Sequence, residues 1–216
     1  MKYFNNPSLD IARSTLEIEE MKRSLLTDWA KTTNPANTAL TGQNEIIKAT
    51  HDILALAADK GWDVTIVCGT LSHAFCDEQT RQVTNGISLG ESIDKVLWAN
   101  GNVRLLVTRP IEQDGPLAAS IRELIRRYHV GSAESPLIIE SSEDKKFNRH
   151  FPRFVIAHPR DRTTGIFWIN KKPHSRGTIN ATLFGPEDAK TVVPGLLKLY
   201  DKKIGCTPAT NHFVLC

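Results

Sequence analysis

Several common signatures are missing from this chain. Cysteine is sparse: the four thiols, Cys68, Cys76, Cys206 and Cys216, form no C-x-x-C pair. That excludes a disulfide framework and a zinc site of the usual spacing, and it predicts a reducing, cytoplasmic setting. Neither G-x-x-x-x-G-K nor G-x-G-x-x-G occurs, so the two best-known phosphate loops are absent. No cofactor or metal is expected. Met1–Asp10 holds no apolar signal core, and no run is long enough to cross a membrane, which predicts a soluble protein. A large charge excess is missing too. The net charge is +3, which permits an anionic ligand but not the role of a dedicated nucleic-acid coat. What is present is ordinary globular composition, 40% hydrophobic and 24% charged over 216 residues, enough for one domain with a terminal extension.

Along the chain, apolar runs of two periods alternate. Leu9, Ala12, Leu16, Met21, Leu25 and Trp29 predict an amphipathic helix over residues 1–33, broken at Asn34-Pro35. Its apolar face must bury against its own domain, a partner or a second copy. A helix over 41–61 follows, capped by Thr41 or Asn44 and stopped by Gly61, with His51 as a solvated or hydrogen-bonded helix histidine. Val64–Cys68 is a strand. The polar loop after it, with Thr70, Ser72, His73 and Asp77, is binding territory in an open α/β sheet. Further helices are predicted at 87–100 and 116–128, and strands at 103–107 and 136–139. The outward Arg122, Arg126 and Arg127 read as a solvated face or an anion contact. Then come a hairpin of Phe154–Ala157 with Gly165–Ile169, a strand at 178–184, and a last helix from Pro186 carrying Glu187 and Asp188 in its first turn. The expected class is α/β: a mixed, mostly parallel sheet flanked by helices. Residues 1–38 form a helical extension, 39–204 the domain and 205–216 an irregular tail.

At Val64–Cys68, Gly101–Val107, Phe151–His158 and Ala181–Asp201 the chain resembles the phospholipase D-like superfamily, over roughly residues 40–204. Members carry His, any residue, Lys, four residues, Asp on the hairpin strand. Here the same spacing reads Phe151-x-Arg153-x4-His158. The resemblance implies a phospholipase D-like fold. It also implies that the attacking imidazole is lost, because phenylalanine cannot form the covalent intermediate. His150 is adjacent, but a strand points it to the other face from Phe151.

Three functions follow as expectations. The first is a pseudoenzyme, a non-catalytic binding or regulatory module that contacts a protein partner as accessory or inhibitor of a larger machine. It would keep a phosphate contact through Arg153, and a homodimer is expected by family analogy and from the first helix. The second is nucleic-acid binding through basic loops, with Lys145, Lys146, Arg149, Arg160, Arg162, Lys171, Lys172, Arg176 and the nearby Trp168 on one face. The third is a phosphodiesterase or nuclease with a shifted constellation of His150, His158 and Arg153. The binding candidates are Arg153, His158, Lys171, Lys172, His174, Arg176, Ser72 and His73.

Overall fold

The alternation of period-two and period-3.6 segments becomes alternating strands and helices. The computed structural model describes residues 38–68, 82–107, 116–128, 135–141, 152–170 and 180–206. In chain order these form β1 (Thr38–Thr41), α1 (Gln43–Lys60), β2 (Asp63–Cys68), α2 (Leu89–Trp98), β3 (Val103–Val107), α3 (Pro116–Tyr128), β4 (Leu137–Ser141), β5 (Arg153–His158), β6 (Ile166–Asn170), β7 (Asn180–Phe184) and α4 (Pro186–Cys206). The expected helix over residues 1–33 lies outside the described residues. The last helix runs to Cys206, two residues into the expected tail.

One seven-stranded sheet carries the order β1-β7-β6-β5-β2-β3-β4. Strands β2, β3 and β4 are parallel neighbours. The pairs β2–β5, β5–β6, β6–β7 and β7–β1 are antiparallel. The sheet is mixed as expected, but mostly antiparallel rather than mostly parallel, with four antiparallel pairs and two parallel. The reason is the hairpin and β7, which together separate β1 from β2. Strand β1 was not anticipated. It buries only Leu40, and so short an edge segment carries almost no alternation to read.

Side chains alternate between two cores. Val64, Ile66, Val103, Leu105, Val155, Ala157 and Trp168 pack with α1, α2 and α3. Val67, Leu106, Phe154, Ile156, Phe167 and Ile169 pack with α4 on the other face. This makes three layers: helices, sheet, helix. On the α4 side, Val193, Leu196, Leu197 and Tyr200 are all buried, each aliphatic side chain contributing roughly 1.5–3 kcal/mol by leaving water. Phe167 and Phe184 stack there at 4.7 Å between centroids.

Local chemistry sets the helix ends. Gly61 takes a left-handed φ of 61° after α1. Its N–H bonds the Ala58 carbonyl, and the Trp62 N–H bonds that of Ala57, the Schellman closure. Ser88 caps α2: the Glu91 N–H donates to Ser88 Oγ at 3.2 Å, and the Ser88 N–H donates to Glu91 Oε2 at 2.6 Å. Gly101, between α2 and β3, has no room for a Cβ, which would run into the Trp62 carbonyl and Val96.

Candidate functional site

The sheet has two chemically distinct ends. At one, β2, β3, β4 and β6 finish and β5 begins. The register aligns Cys68 with Val107, Val107 with Ser141, Val67 with Phe154, and Arg153 with Asn170. Of the sequence candidates, only Arg153 is described at this end. Ser72, His73, His150, Lys171, Lys172, His174 and Arg176 lie outside the described residues, as does Phe151. The segments that carry them attach to these aligned strand ends.

Arg153 is half-buried and falls on the face of Val155 and Ala157, towards α1. Cys68 shares that face. Burial pushes its thiol up to about 12, against a smaller opposite pull from the nearby Arg153 guanidinium. A thiol held protonated in this way is not a nucleophile near neutral pH.

His158 stands at the other end and on the other face. It follows Phe154 and Ile156 in alternation and pairs with Asp63, the first residue of β2. Five residues of extended strand separate it from Arg153, about 17 Å of rise. The structure therefore does not bring these two candidates together.

Around His158 the amino ends of β2, β3 and β4 open into a cleft of about 280 Å³. Asp63, Thr65, Asn102, Arg104, His158 and Arg162 are among its lining residues. His158 is buried. Its Nδ1 lies 2.9 Å from the Pro159 carbonyl, which only accepts, so Nδ1 carries the hydrogen and Nε2 the lone pair. Thr65 Oγ1 donates to that lone pair at 3.5 Å. Burial lowers the imidazole pKa below its ordinary value, with a counter-pull from the Pro159 hydrogen bond and Asp63, and a further push down from Arg162 and Arg104. The ring is therefore neutral at pH 7.

Asp201, on α4, bridges the two arginines that line the cleft. One carboxylate oxygen accepts from Arg104 Nη1 at 3.2 Å and the other from Arg162 Nη1 at 2.5 Å. Sequence reading missed Arg104, Asn102, Asp63 and Asp201 as a group. The one available signal was Arg104 inside the apolar run Val-Arg-Leu-Leu-Val, where a charged residue needs a partner. That partner lies 97 residues away along the chain.

Two other expectations are resolved. His51 is a hydrogen-bonded helix histidine: its Nδ1 meets Ser92 Oγ at 2.8 Å between α1 and α2, beside a cleft of about 230 Å³. Burial lowers its pKa. Its Nε2 has no hydrogen-bond partner among the described residues. Among the described residues the pair thus lacks the third group that would orient a catalytic imidazole, and Ser92 is buried. The arginine face of α3 is engaged within the domain. Arg126 pairs with Glu123 at 2.9 Å, and Arg127 with Asp94 of α2 at 2.7 Å.

Among the described residues no group of three or more metal-ligating side chains gathers, and no helix is long and apolar enough to cross a membrane. The fold and its clefts define a mixed α/β domain with a polar cleft at the amino ends of its parallel strands. No protein-family model matches the chain, and no curated protein matches it either.

Proposed function

We propose that this chain is a non-catalytic module of the phospholipase D-like kind that acts by contact with a protein partner. Phe151, standing where the family has its attacking imidazole, carries the non-catalytic reading, and one structural observation speaks against the shifted constellation. Arg153 and His158, the described members of the expected phosphodiester constellation, occupy opposite faces and opposite ends of β5. Phosphodiester chemistry needs nucleophile, proton donor and cation around one phosphorus atom, and these two residues do not converge on one.

The succession of helices and strands from α1 through α4 supports the resemblance. It runs helix, strand, helix, strand, helix, strand, then a hairpin, with β7 before the last helix. Contact with a protein is supported by Trp98, the exposed large hydrophobic side chain among the described residues, at the end of α2. Exposed tryptophan is enriched in binding hot spots. The regulatory role, as accessory or inhibitor, belongs to this proposal, and so does a homodimer through the N-terminal helix.

The test has two arms. Turnover of a generic phosphodiester is measured at high protein concentration for the wild type, Arg153→Ala and His158→Ala. No turnover is expected, and turnover abolished by either substitution overturns the proposal. Affinity capture from the native cell is compared between wild type and Trp98→Ala. Loss of a stoichiometric partner is expected, and an unchanged partner set counts against this surface.

A second reading has its own support. The segment bearing Lys145, Lys146 and Arg149 leads into β5, and the one bearing Lys171, Lys172 and Arg176 follows β6, the antiparallel neighbour of β5. Nucleic-acid binding by these charges would weaken steeply with salt. Fluorescence anisotropy with labelled DNA over a salt series tests it, and no binding at low salt removes it.

A further inference from the structure

We propose that the cleft at the amino ends of β2, β3 and β4 binds a small hydroxylated oxyanion, its phosphate or carboxylate group on Arg104 and Arg162 and its hydroxyl on His158. This site lies at the end of the sheet opposite Arg153 and does not depend on the proposed function. The arginine pair already shows which chemistry it accepts, since the Asp201 carboxylate sits between the two guanidinium groups with one oxygen on each. Each guanidinium uses only Nη1 on that carboxylate. Among the described residues, Nε and Nη2 of Arg104 and of Arg162 donate to no protein acceptor. A planar fork with unused donors at the rim of a cleft is suited to an oxyanion, which it can hold through two parallel bonds.

His158 supplies the complementary group. Its Nδ1–H is committed to the Pro159 carbonyl, so Nε2 presents a lone pair. The Thr65 hydroxyl meets that lone pair only at 3.5 Å, the outer limit of a hydrogen bond. A ligand hydroxyl would give it a better donor. Asp63, the carboxylate among the lining residues, is engaged: one oxygen accepts both the backbone and side-chain N–H of Asn102, at 2.8 Å and 3.0 Å. It fixes the turn rather than facing the ligand bare. The volume, about 280 Å³, lies just below the range of drug-sized ligand pockets, roughly 300–1,000 Å³. A ligand of three or so carbons with one anionic group and one hydroxyl fits these requirements. Asp201 is then the internal competitor that sets the affinity.

The full chain is titrated calorimetrically, at constant ionic strength, with glycerol phosphate, lactate and propionate. Propionate matches lactate without its hydroxyl. Saturable binding of glycerol phosphate or lactate is expected, the better of the two identifying the anionic group, with propionate weaker by about tenfold. The Arg104→Gln/Arg162→Gln double variant should lose about tenfold or more. Asp201→Asn removes the competing charge while keeping the side-chain shape, and it should tighten binding by at least about threefold. It remains informative if the arginine variant fails to fold. Absence of saturable binding in both wild type and Asp201→Asn overturns the proposal. So does unchanged affinity in Asp201→Asn, or equal affinity for lactate and propionate.

Discussion

Asp63 holds Asn102 twice, through one carboxylate oxygen that accepts the backbone N–H at 2.8 Å and the side-chain amide at 3.0 Å. The Asn102 carbonyl in turn accepts the Val64 N–H at 2.8 Å. The start of β2 is thereby locked to the turn that leads into β3, and the same lock shapes one wall of the amino-end cleft. Replacing Asp63 by Ala leaves two N–H groups without their acceptor. Such a loss costs about 1–3 kcal/mol, and urea unfolding should show a lower midpoint with an unchanged slope. A midpoint within experimental error of the wild type would mean that water replaces the carboxylate at no cost.

Trp168 on β6 reaches across to α1, where its indole N–H donates to Thr50 Oγ1 at 3.0 Å. The Thr50 hydroxyl donates onward to the Ile46 carbonyl at 2.7 Å. Both side chains are buried. Thr50→Val keeps the volume and removes the acceptor, leaving a buried indole N–H unsatisfied at a cost of about 1–3 kcal/mol. Trp168→Phe removes the donor and leaves a hydroxyl already bonded through its own hydrogen. The double variant should therefore be less destabilised than the sum of the two singles. Strict additivity in a double-mutant cycle would show the contact to be energetically silent.

His158 makes stability depend on pH. Its folded pKa lies below the ordinary 6.5, because burial disfavours the cation. Between the folded and unfolded values the unfolded chain binds more protons, so stability rises with pH there. The contribution is complete above about pH 6.5 and is lost as pH falls through the folded value. His51 acts with the same sign, again because of burial. Chemical unfolding at pH 8 and at pH 5 should show the stability gap between wild type and His158→Gln narrowing, or reversing, at the lower pH. Parallel curves would mean that the imidazole is solvated in the native state.

Cys68 should be slow to react. Its thiol, raised to about 12 by burial, donates to the Leu106 carbonyl at 3.9 Å. At pH 8 its thiolate fraction is therefore about four orders of magnitude below one. Timed alkylation with iodoacetamide, followed by mass spectrometry of the Cys68 peptide, should find it modified only on denaturation. Rapid labelling in the native protein would reopen a nucleophilic role for this side of the sheet.

Much of the scaffold was legible because its signals are local. The stripe over Pro116–Tyr128, the apolar Val103–Val107 and the acidic first turn at Glu187-Asp188 each identify their element within a short window. Ser88 and Glu91 also carried a readable capping-box spacing, which starts α2 two residues later than the expected 87. Two things resisted. Strand β1 offers one buried residue, Leu40, and gains its identity only from pairing with β7. The cluster of Arg104, Arg162 and Asp201 joins three elements that no local pattern connects. The separation of Arg153 from His158, by contrast, was readable. Five residues is an odd number, and an odd step along a strand always changes face. The rule that separates His150 from Phe151 applies equally to Arg153 and His158.

That parity supplies the sharpest test of the phosphodiester frame. Arg153 lies near Cys68 on the α1 face, while His158 lies with Thr65 on the α4 face. The rise between them along the strand is about 17 Å. Substitutions at such a distance add to within about 0.3–0.5 kcal/mol. Arg153→Ala, His158→Ala and the double variant, compared by urea unfolding, should therefore show no coupling beyond that range. His158→Ala should be the costlier single change, since it opens a cavity beneath α4 and strips the Thr65 hydroxyl of its partner. A coupling energy well above 0.5 kcal/mol would place both residues in one network and restore the shared site. Additivity would assign Arg153 to the carboxyl-end rim and His158 to the amino-end cleft as separate sites.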